Sequence, residues 1–201
     1  MCDSVDALLR DGYVVLGGCF ARDAARQLVL RLGCGVEYET LAACLEDEDL
    51  ALGPSRTNFR LRRHQGLLMA SALSGLLDEL GETHTWYDAS IITALAGRGR
   101  QPSHRDYSKP VHSDEPWKVV VFTPLDTVHP RGGVTCVYPG THLQDLPAVA
   151  RRIRLDPGDA LVFFSTLQHY GAANNSTTHR ILLSQTFDVR VRGKWASQVA
   201  T

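Results

Sequence analysis

The spacing of apolar residues divides the chain into a helical first part and a strand-rich second part. Over residues 21–32, apolar residues recur at intervals of three and four, which predicts a helix that ends before Gly33. The leucines between residues 67 and 80 follow the same spacing, and Gly81 ends that helix. Two shorter helices are predicted over residues 4–11 and 40–50, and a strand is predicted over residues 13–16.

After Gly81 the pattern changes to short runs of β-branched and aromatic residues separated by turn residues. The predicted strands cover residues 90–96, 117–125, 134–138, 153–155, 160–164 and 180–187. Glycine and proline separate them, as in the segments 131–133, 139–140 and 156–159. Many short strands with such turns predict a mainly β barrel or double-sheet roll, with the helices packed outside.

Composition and charge are typical of a soluble globular protein. The 201 residues suit one domain, with a helical part over about 1–81 and a β core over about 82–190. A net charge of −1 gives no reason to expect a nucleic acid or an anionic membrane as partner. Five cysteines without a C-x-x-C pair favour a reducing compartment, and no apolar run approaches a membrane span. We therefore expect a cytoplasmic protein.

Two H-x-D motifs are candidates for a metal site. His104 and Asp106 form the first, and His112 and Asp114 the second. Residues two apart on a strand point to the same side, so each pair could hold one ion. Two histidines and one carboxylate are the ligand set of non-haem iron(II) oxygenases. His169, which follows the apolar run 160–164, is the candidate third ligand, and the residues alone leave both H-x-D motifs open.

Arg180 stands eleven residues after His169 and begins the last predicted strand. Its planar guanidinium is suited to a two-point grip on a carboxylate, such as the distal carboxylate of a bound 2-oxo diacid. The alternative is an arginine at a strand edge in a surface ion pair, which would contribute little.

Several segments together resemble the phytanoyl-CoA dioxygenase family of iron(II)- and 2-oxoglutarate-dependent oxygenases. Residues 101–106 are similar to its Q-x-x-H-x-D segment, and 132–142 to its G-x-x-x-V-x-P-G-[ST]-H segment. Further similar segments cover residues 9–16 and 158–180. The resemblance implies a double-stranded β-helix core of the jelly-roll, cupin-like type. It also implies Fe(II) bound by His104, Asp106 and His169, with Arg180 binding 2-oxoglutarate.

The resemblance assigns expectations to the other candidates as well. The glutamine three residues before the motif favours His104 and Asp106 as ligands and leaves His112 and Asp114 near the active-site mouth, where they could touch substrate. Gln101 could hold the near end of 2-oxoglutarate. Phe122 could line the co-substrate site, although packing in the core is the favoured interpretation. His142 is expected to be structural.

The implied reaction consumes 2-oxoglutarate and dioxygen, releases succinate and CO2, and hydroxylates a small-molecule substrate. Asp106 favours hydroxylation over halogenation, because halogenating relatives lack this carboxylate. The chain is short between His142 and Arg151, and Leu182 replaces the serine of an Arg-x-Ser pair found in other 2-oxoglutarate oxygenases. One alternative is an oxygenase that acts on a protein side chain or a nucleobase. The other is a non-catalytic, cupin-like metal-binding protein, which would leave the presence of Arg180 unexplained.

Overall fold

The computed structural model describes residues 2–31, 56–60, 68–107, 115–144, 148–193 and 195, with 56–60 as backbone only. Three helices lie in these ranges: α1 (Cys2–Asp11), α2 (Ala24–Arg31) and α3 (Ser71–Leu80). They confirm the predicted helices at 4–11, 21–32 and 67–80, although α2 and α3 begin a few residues later than expected. The helix predicted over 40–50 lies outside the described residues.

Nine strands in the described ranges form two antiparallel sheets. The strands are β1 (Tyr13–Leu16), β2 (Arg56–Arg60), β3 (Gly81–Ala94), β4 (Trp117–Pro124), β5 (Thr135–Val137), β6 (Arg151–Ile153), β7 (Ala160–Phe164), β8 (His169–Gly171) and β9 (Arg180–Val191). The large sheet has the order β1-β7-β4-β9-β3-β2, and the small sheet has the order β6-β5-β8. The mainly β, double-sheet architecture with flanking helices agrees with the prediction.

The large sheet is buried on both faces, and β4 shows how. Val119 and Val121 belong to the cluster that includes α1 and α3, whereas Val120 and Phe122 belong to the cluster that includes residues of the small sheet. Successive side chains of a strand point to opposite faces, so one face of the sheet meets the helices and the other faces the interior of the roll. Burial of both faces explains why the sequence of β4 is an almost continuous apolar run.

Three strand segments were not predicted. β2 and β8 were missed, and β3 begins at Gly81 rather than at residue 90. The first half of β3 is mostly polar and contains two register shifts, between Gly81 and Thr83 and between Trp86 and Asp88. Such irregularities remove the alternation from which a strand is recognised. No helix in the described parts of the chain is long and apolar enough to span a membrane.

Candidate metal centre

The structure brings three of the predicted site residues together. One ligand atom from each of His104, Asp106 and His169 lies within 4.8 Å of the others. The Nε2 atoms of His104 and His169 lie 3.6 and 3.7 Å from the same oxygen, Oδ1 of Asp106. These separations are longer than ordinary hydrogen bonds. They are close to the spacing of about 3 Å expected for neighbouring ligands that each lie about 2.1 Å from one ion.

Backbone pairing produces this convergence. His104 and His169 are direct antiparallel partners, each donating its backbone N–H to the other's carbonyl oxygen at 2.9 Å. The Asp106 N–H then donates to the carbonyl oxygen of Ser165 at 3.0 Å. The H-x-D segment therefore runs beside β8 as an additional short strand, and its two side chains face the histidine at the start of β8.

Both histidines are held in the tautomer that a metal site needs. His104 Nδ1 lies 3.0 Å from the carbonyl oxygen of Pro102, and His169 Nδ1 lies 3.0 Å from that of Leu167. A carbonyl oxygen only accepts hydrogen bonds, so each Nδ1 carries the proton and each Nε2 keeps its lone pair. The two Nε2 atoms and a carboxylate oxygen, oriented in this way, fit a divalent iron with three protein ligands.

The centre is buried on one side and accessible on the other. The side chain of His169 is 4% exposed, whereas those of Asp106 and His104 are 28% and 38% exposed. The rings of Phe163 and Phe122 meet the His169 ring edge-on, with centroids at 5.0 and 6.4 Å. Phe122 thus packs in the core and also touches a candidate ligand.

Arg180, the first residue of β9, lies inside the roll. It is only 6% exposed, and its Nη1 donates to Thr135 Oγ1 on β5 at 3.2 Å. The alternative of a surface ion pair was therefore wrong. Taking a guanidinium out of water is costly, and its fork of donors is suited to an anion of planar geometry such as a carboxylate.

The turn that leads into β9 is held by Asn174, which the sequence did not single out. The Asn174 Nδ2 donates to the carbonyl oxygens of Ala94 and Thr178, both at 2.9 Å. Its Oδ1 accepts from Ser176 Oγ at 2.6 Å. Because Ala94 is the partner of Arg180 in the sheet, this amide fixes the point at which β9 begins. An asparagine two residues before a serine in a turn was the available signal.

Gln101 and Arg105 secure the H-x-D segment. Gln101 donates its backbone N–H to the carbonyl oxygen of Gly171 at 2.9 Å, and its Oε1 accepts from the Gly171 N–H at 3.1 Å. Arg105 donates through Nε and Nη2 to the carbonyl oxygens of Thr166 and Thr141. A contact of Gln101 with 2-oxoglutarate stays a prediction. The role of Arg105 was not predicted.

His142 has the structural role that was expected. It is fully buried, its Nε2 lies 3.0 Å from the carbonyl oxygen of Leu9, and its ring stacks on Phe164 with an interplanar angle of 3°. These contacts tie the turn before residue 143 to α1 and β7. His112 and Asp114 lie outside the described residues, so their proposed contact with substrate stays a prediction.

Comparison with known proteins shows the family and the fold. The sequence model of the phytanoyl-CoA dioxygenase (PhyH) family matches residues 8–182. No curated protein matches the chain. Among solved structures, AviO1 from Streptomyces viridochromogenes Tue57 is 18% identical with a TM-score of 0.68, and the match covers 93% of this chain and 94% of that one.

Two further structures share the fold. The epimerase SnoN from nogalamycin biosynthesis is 14% identical with a TM-score of 0.68, covering 93% of this chain and 82% of its own; it has been solved with Fe3+, alpha ketoglutarate and nogalamycin RO. EctD from S. alaskensis is 17% identical with a TM-score of 0.68, covering 94% of this chain and 77% of its own. These likenesses establish a shared double-stranded β-helix fold. Because the family match extends over most of the sequence, the chain belongs to the phytanoyl-CoA dioxygenase family, whose members use Fe(II) and 2-oxoglutarate.

Proposed function

We propose that the chain is an Fe(II)- and 2-oxoglutarate-dependent dioxygenase that hydroxylates a small-molecule substrate and releases succinate and CO2. One observation carries this proposal. Two histidine Nε2 atoms and one carboxylate oxygen converge at a single place, and a buried arginine lies in the same roll. A cupin-like metal-binding protein without catalysis would not need a buried Arg180, which is why we favour the oxygenase.

In this proposal His104, Asp106 and His169 hold the iron, and Gln101 and Arg105 keep the H-x-D segment beside β8. Arg180 pairs with the far carboxylate of 2-oxoglutarate, and Thr135 orients the guanidinium by accepting from Nη1 at 3.2 Å. Iron(II) bound here would supply the activation of dioxygen coupled to decarboxylation of 2-oxoglutarate.

The remaining residues protect the centre. The phenyl rings of Phe122 and Phe163 pack against His169 on the side that faces the core and keep water away from that side of the ring. The presence of Asp106 favours hydroxylation over halogenation. Epimerisation by SnoN shows that this fold serves more than one outcome, so the product is part of the proposal.

The decisive experiment measures succinate formed from 2-oxoglutarate under air with Fe(II). We expect slow substrate-free turnover by the wild type and its loss in His104→Ala and Arg180→Ala. Each variant is first checked for folding by circular dichroism. A fully metallated wild type that forms no succinate with any candidate substrate would contradict the proposal.

A matched pair of variants separates the two H-x-D motifs. Asp106→Ala should abolish binding of Fe(II) or Co(II), as followed by the visible absorption of cobalt, whereas Asp114→Ala should retain it. Loss of metal in Asp114→Ala with retention in Asp106→Ala would transfer the site to His112 and Asp114.

A further inference from the structure

We propose that Lys118 is a positioning residue for the metal centre: its ammonium holds the ring of Tyr107 and thereby fixes the neighbouring candidate ligand, Asp106. Lys118 is the second residue of β4, and Tyr107 directly follows Asp106 at the end of the H-x-D segment. The role assigned to Lys118 rests on the metal site proposed above and not on the reaction that this site would support.

The ammonium of Lys118 is surrounded by three side chains. Its Nζ lies 3.2 Å from the ring centroid of Tyr87, 5.1 Å from that of Tyr107 and 2.7 Å from Asp188 Oδ1. Both ring distances are within the range of cation–π attraction. The two rings also meet edge-on, with centroids 6.0 Å apart and an interplanar angle of 87°. These four residues, which we name the lysine cluster, therefore hold one another in place.

Three members of the lysine cluster come from the inner face of the large sheet. Lys118 and Asp188 are direct partners of β4 and β9, and Lys118 stands two residues before Val120, which packs in the inner core. Residues two apart on a strand point to the same face. On β3, one of the two register shifts skips Tyr87. Such a bulge can redirect a side chain, and here the Tyr87 ring faces the ammonium.

The fourth member, Tyr107, brings the H-x-D segment into the lysine cluster. That segment pairs with β8 of the small sheet through its histidine. The Tyr107 ring, by contrast, reaches Lys118 and Tyr87 on the large sheet. The residue next to Asp106 therefore links the two sheets beside the metal centre. A ligand held between two sheets in this way has less freedom to move than one attached to β8 alone.

The backbone of Lys118 supports Asp106 as well. The carbonyl oxygen of Lys118 accepts from the Ser165 N–H at 2.9 Å, and the Ser165 carbonyl oxygen accepts from the Asp106 N–H at 3.0 Å. The backbone nitrogen of Tyr107 lies 3.5 Å from the same Ser165 oxygen. Lys118 is thus connected to the end of the H-x-D segment by its main chain through Ser165 and by its side chain through Tyr107. A side-chain substitution removes the second connection and leaves the first.

Lys118 acts on the metal centre through position and not through charge. Its ammonium is paired with the carboxylate of Asp188 at 2.7 Å, so the pair carries no net charge toward a divalent ion. The side chains of Lys118 and Asp188 are 21% and 25% exposed, which shields the pair partly from water. Groups that orient the ligands of a metal typically contribute about tenfold or more to its affinity. We therefore expect the contribution of Lys118 to appear in the affinity and geometry of the bound metal.

The test is a double-mutant cycle of Lys118→Met and Tyr107→Leu, with Co(II) as the probe. Lys118→Met removes the charge and should weaken Co(II) binding about tenfold. It should also change the visible absorption spectrum of the protein saturated with Co(II), which reports the geometry at the metal and not the stability of the fold. Lys118→Arg keeps a cation beside both rings and should restore most of the affinity and the spectrum. In the Tyr107→Leu background, Lys118→Met should have little further effect.

Arg190→Met is the matched control, because it removes an exposed cation from β9, and it should leave Co(II) affinity and spectrum unchanged. Wild-type affinity and spectrum in Lys118→Met would overturn the role of Lys118. An equal loss with and without Tyr107→Leu would overturn it too, since Lys118 would then act by another route. A wild type that binds no Co(II) would reject the metal centre together with this role. The expected pattern without succinate formation would support the role of Lys118 and reject the oxygenase.

Discussion

Arg105 and Thr166 are joined by a hydrogen bond of 2.7 Å from the guanidinium Nε to the carbonyl oxygen, across 61 residues of sequence. A second bond of 3.0 Å runs from Arg105 Nη2 to the carbonyl oxygen of Thr141. The residue between the two candidate ligands of the H-x-D motif thus fastens that segment to two turns, one of which leads directly into β8.

Replacement of Arg105 should weaken metal binding although the residue touches no metal. In Arg105→Ala we expect affinity for Fe(II) or Co(II) to fall about tenfold, because groups that orient metal ligands typically contribute at this level. Isothermal titration calorimetry under anaerobic conditions measures it. Arg31→Ala, at the exposed end of α2, is the control. Unchanged affinity in Arg105→Ala would show that backbone pairing alone positions His104 and Asp106.

Asn174→Ala should loosen the start of β9. It removes both donors to Ala94 and Thr178, which should lower the free energy of unfolding by about 2–3 kcal/mol. We also expect weaker binding of 2-oxoglutarate, since Arg180 stands opposite Ala94. Urea denaturation and calorimetric titration measure the two effects. The exposed neighbour variant Asn175→Ala should change neither, and equal effects in both would contradict the assignment.

Gly12→Ala and Gly18→Ala form a matched pair for stability. Both glycines have positive φ angles, of 81° and 59°. A Cβ at Gly12 would lie 2.5 Å from His142 Nδ1, whereas a Cβ at Gly18 would meet nothing within 4 Å. Gly18→Ala should therefore cost about 1 kcal/mol through backbone strain alone. Gly12→Ala should cost about 3 kcal/mol, because overpacking is added. Thermal unfolding distinguishes them, and equal losses would contradict the packing argument.

Metal binding should stabilise the fold by an amount that grows with the logarithm of the ion concentration divided by its dissociation constant. A divalent ion at a hundred times its dissociation constant adds about 2.7 kcal/mol to the free energy of unfolding. We expect a chelator to remove that gain from the wild type and to leave His169→Ala unaffected, with the melting temperature as the measurement. A chelator-sensitive melting temperature in His169→Ala would place a second ion elsewhere.

Much of the fold could be predicted from the sequence, because the residues that are buried in helices and strands are apolar and follow the spacing of those elements. Strand β4 and strand β7 were found almost to the residue, since both faces of each are packed. The start of β3 was missed for a physical reason: its first half is mostly polar and contains two register shifts, so the apolar alternation is interrupted there.

The candidate metal ligands were predicted from side-chain chemistry. The groups that hold those ligands in place were not predicted. His169 was predicted from its place after the apolar run 160–164 and from the family resemblance, although the strand that carries it is only three residues long. Arg105 escaped notice because its acceptors are backbone carbonyls, which every residue has. The same holds for the tautomers of His104 and His169, which depend on carbonyl oxygens two residues earlier in each case.

Strand β9 lies between β4 and β3 and is paired in register with both. Arg180 is its first residue, and successive side chains of a strand point to opposite faces of the sheet. An insertion of one residue directly after Arg180 would therefore move the guanidinium from the interior of the roll to the face that meets the helices. The length of this strand thus decides whether the arginine can take part in the co-substrate contact that we propose.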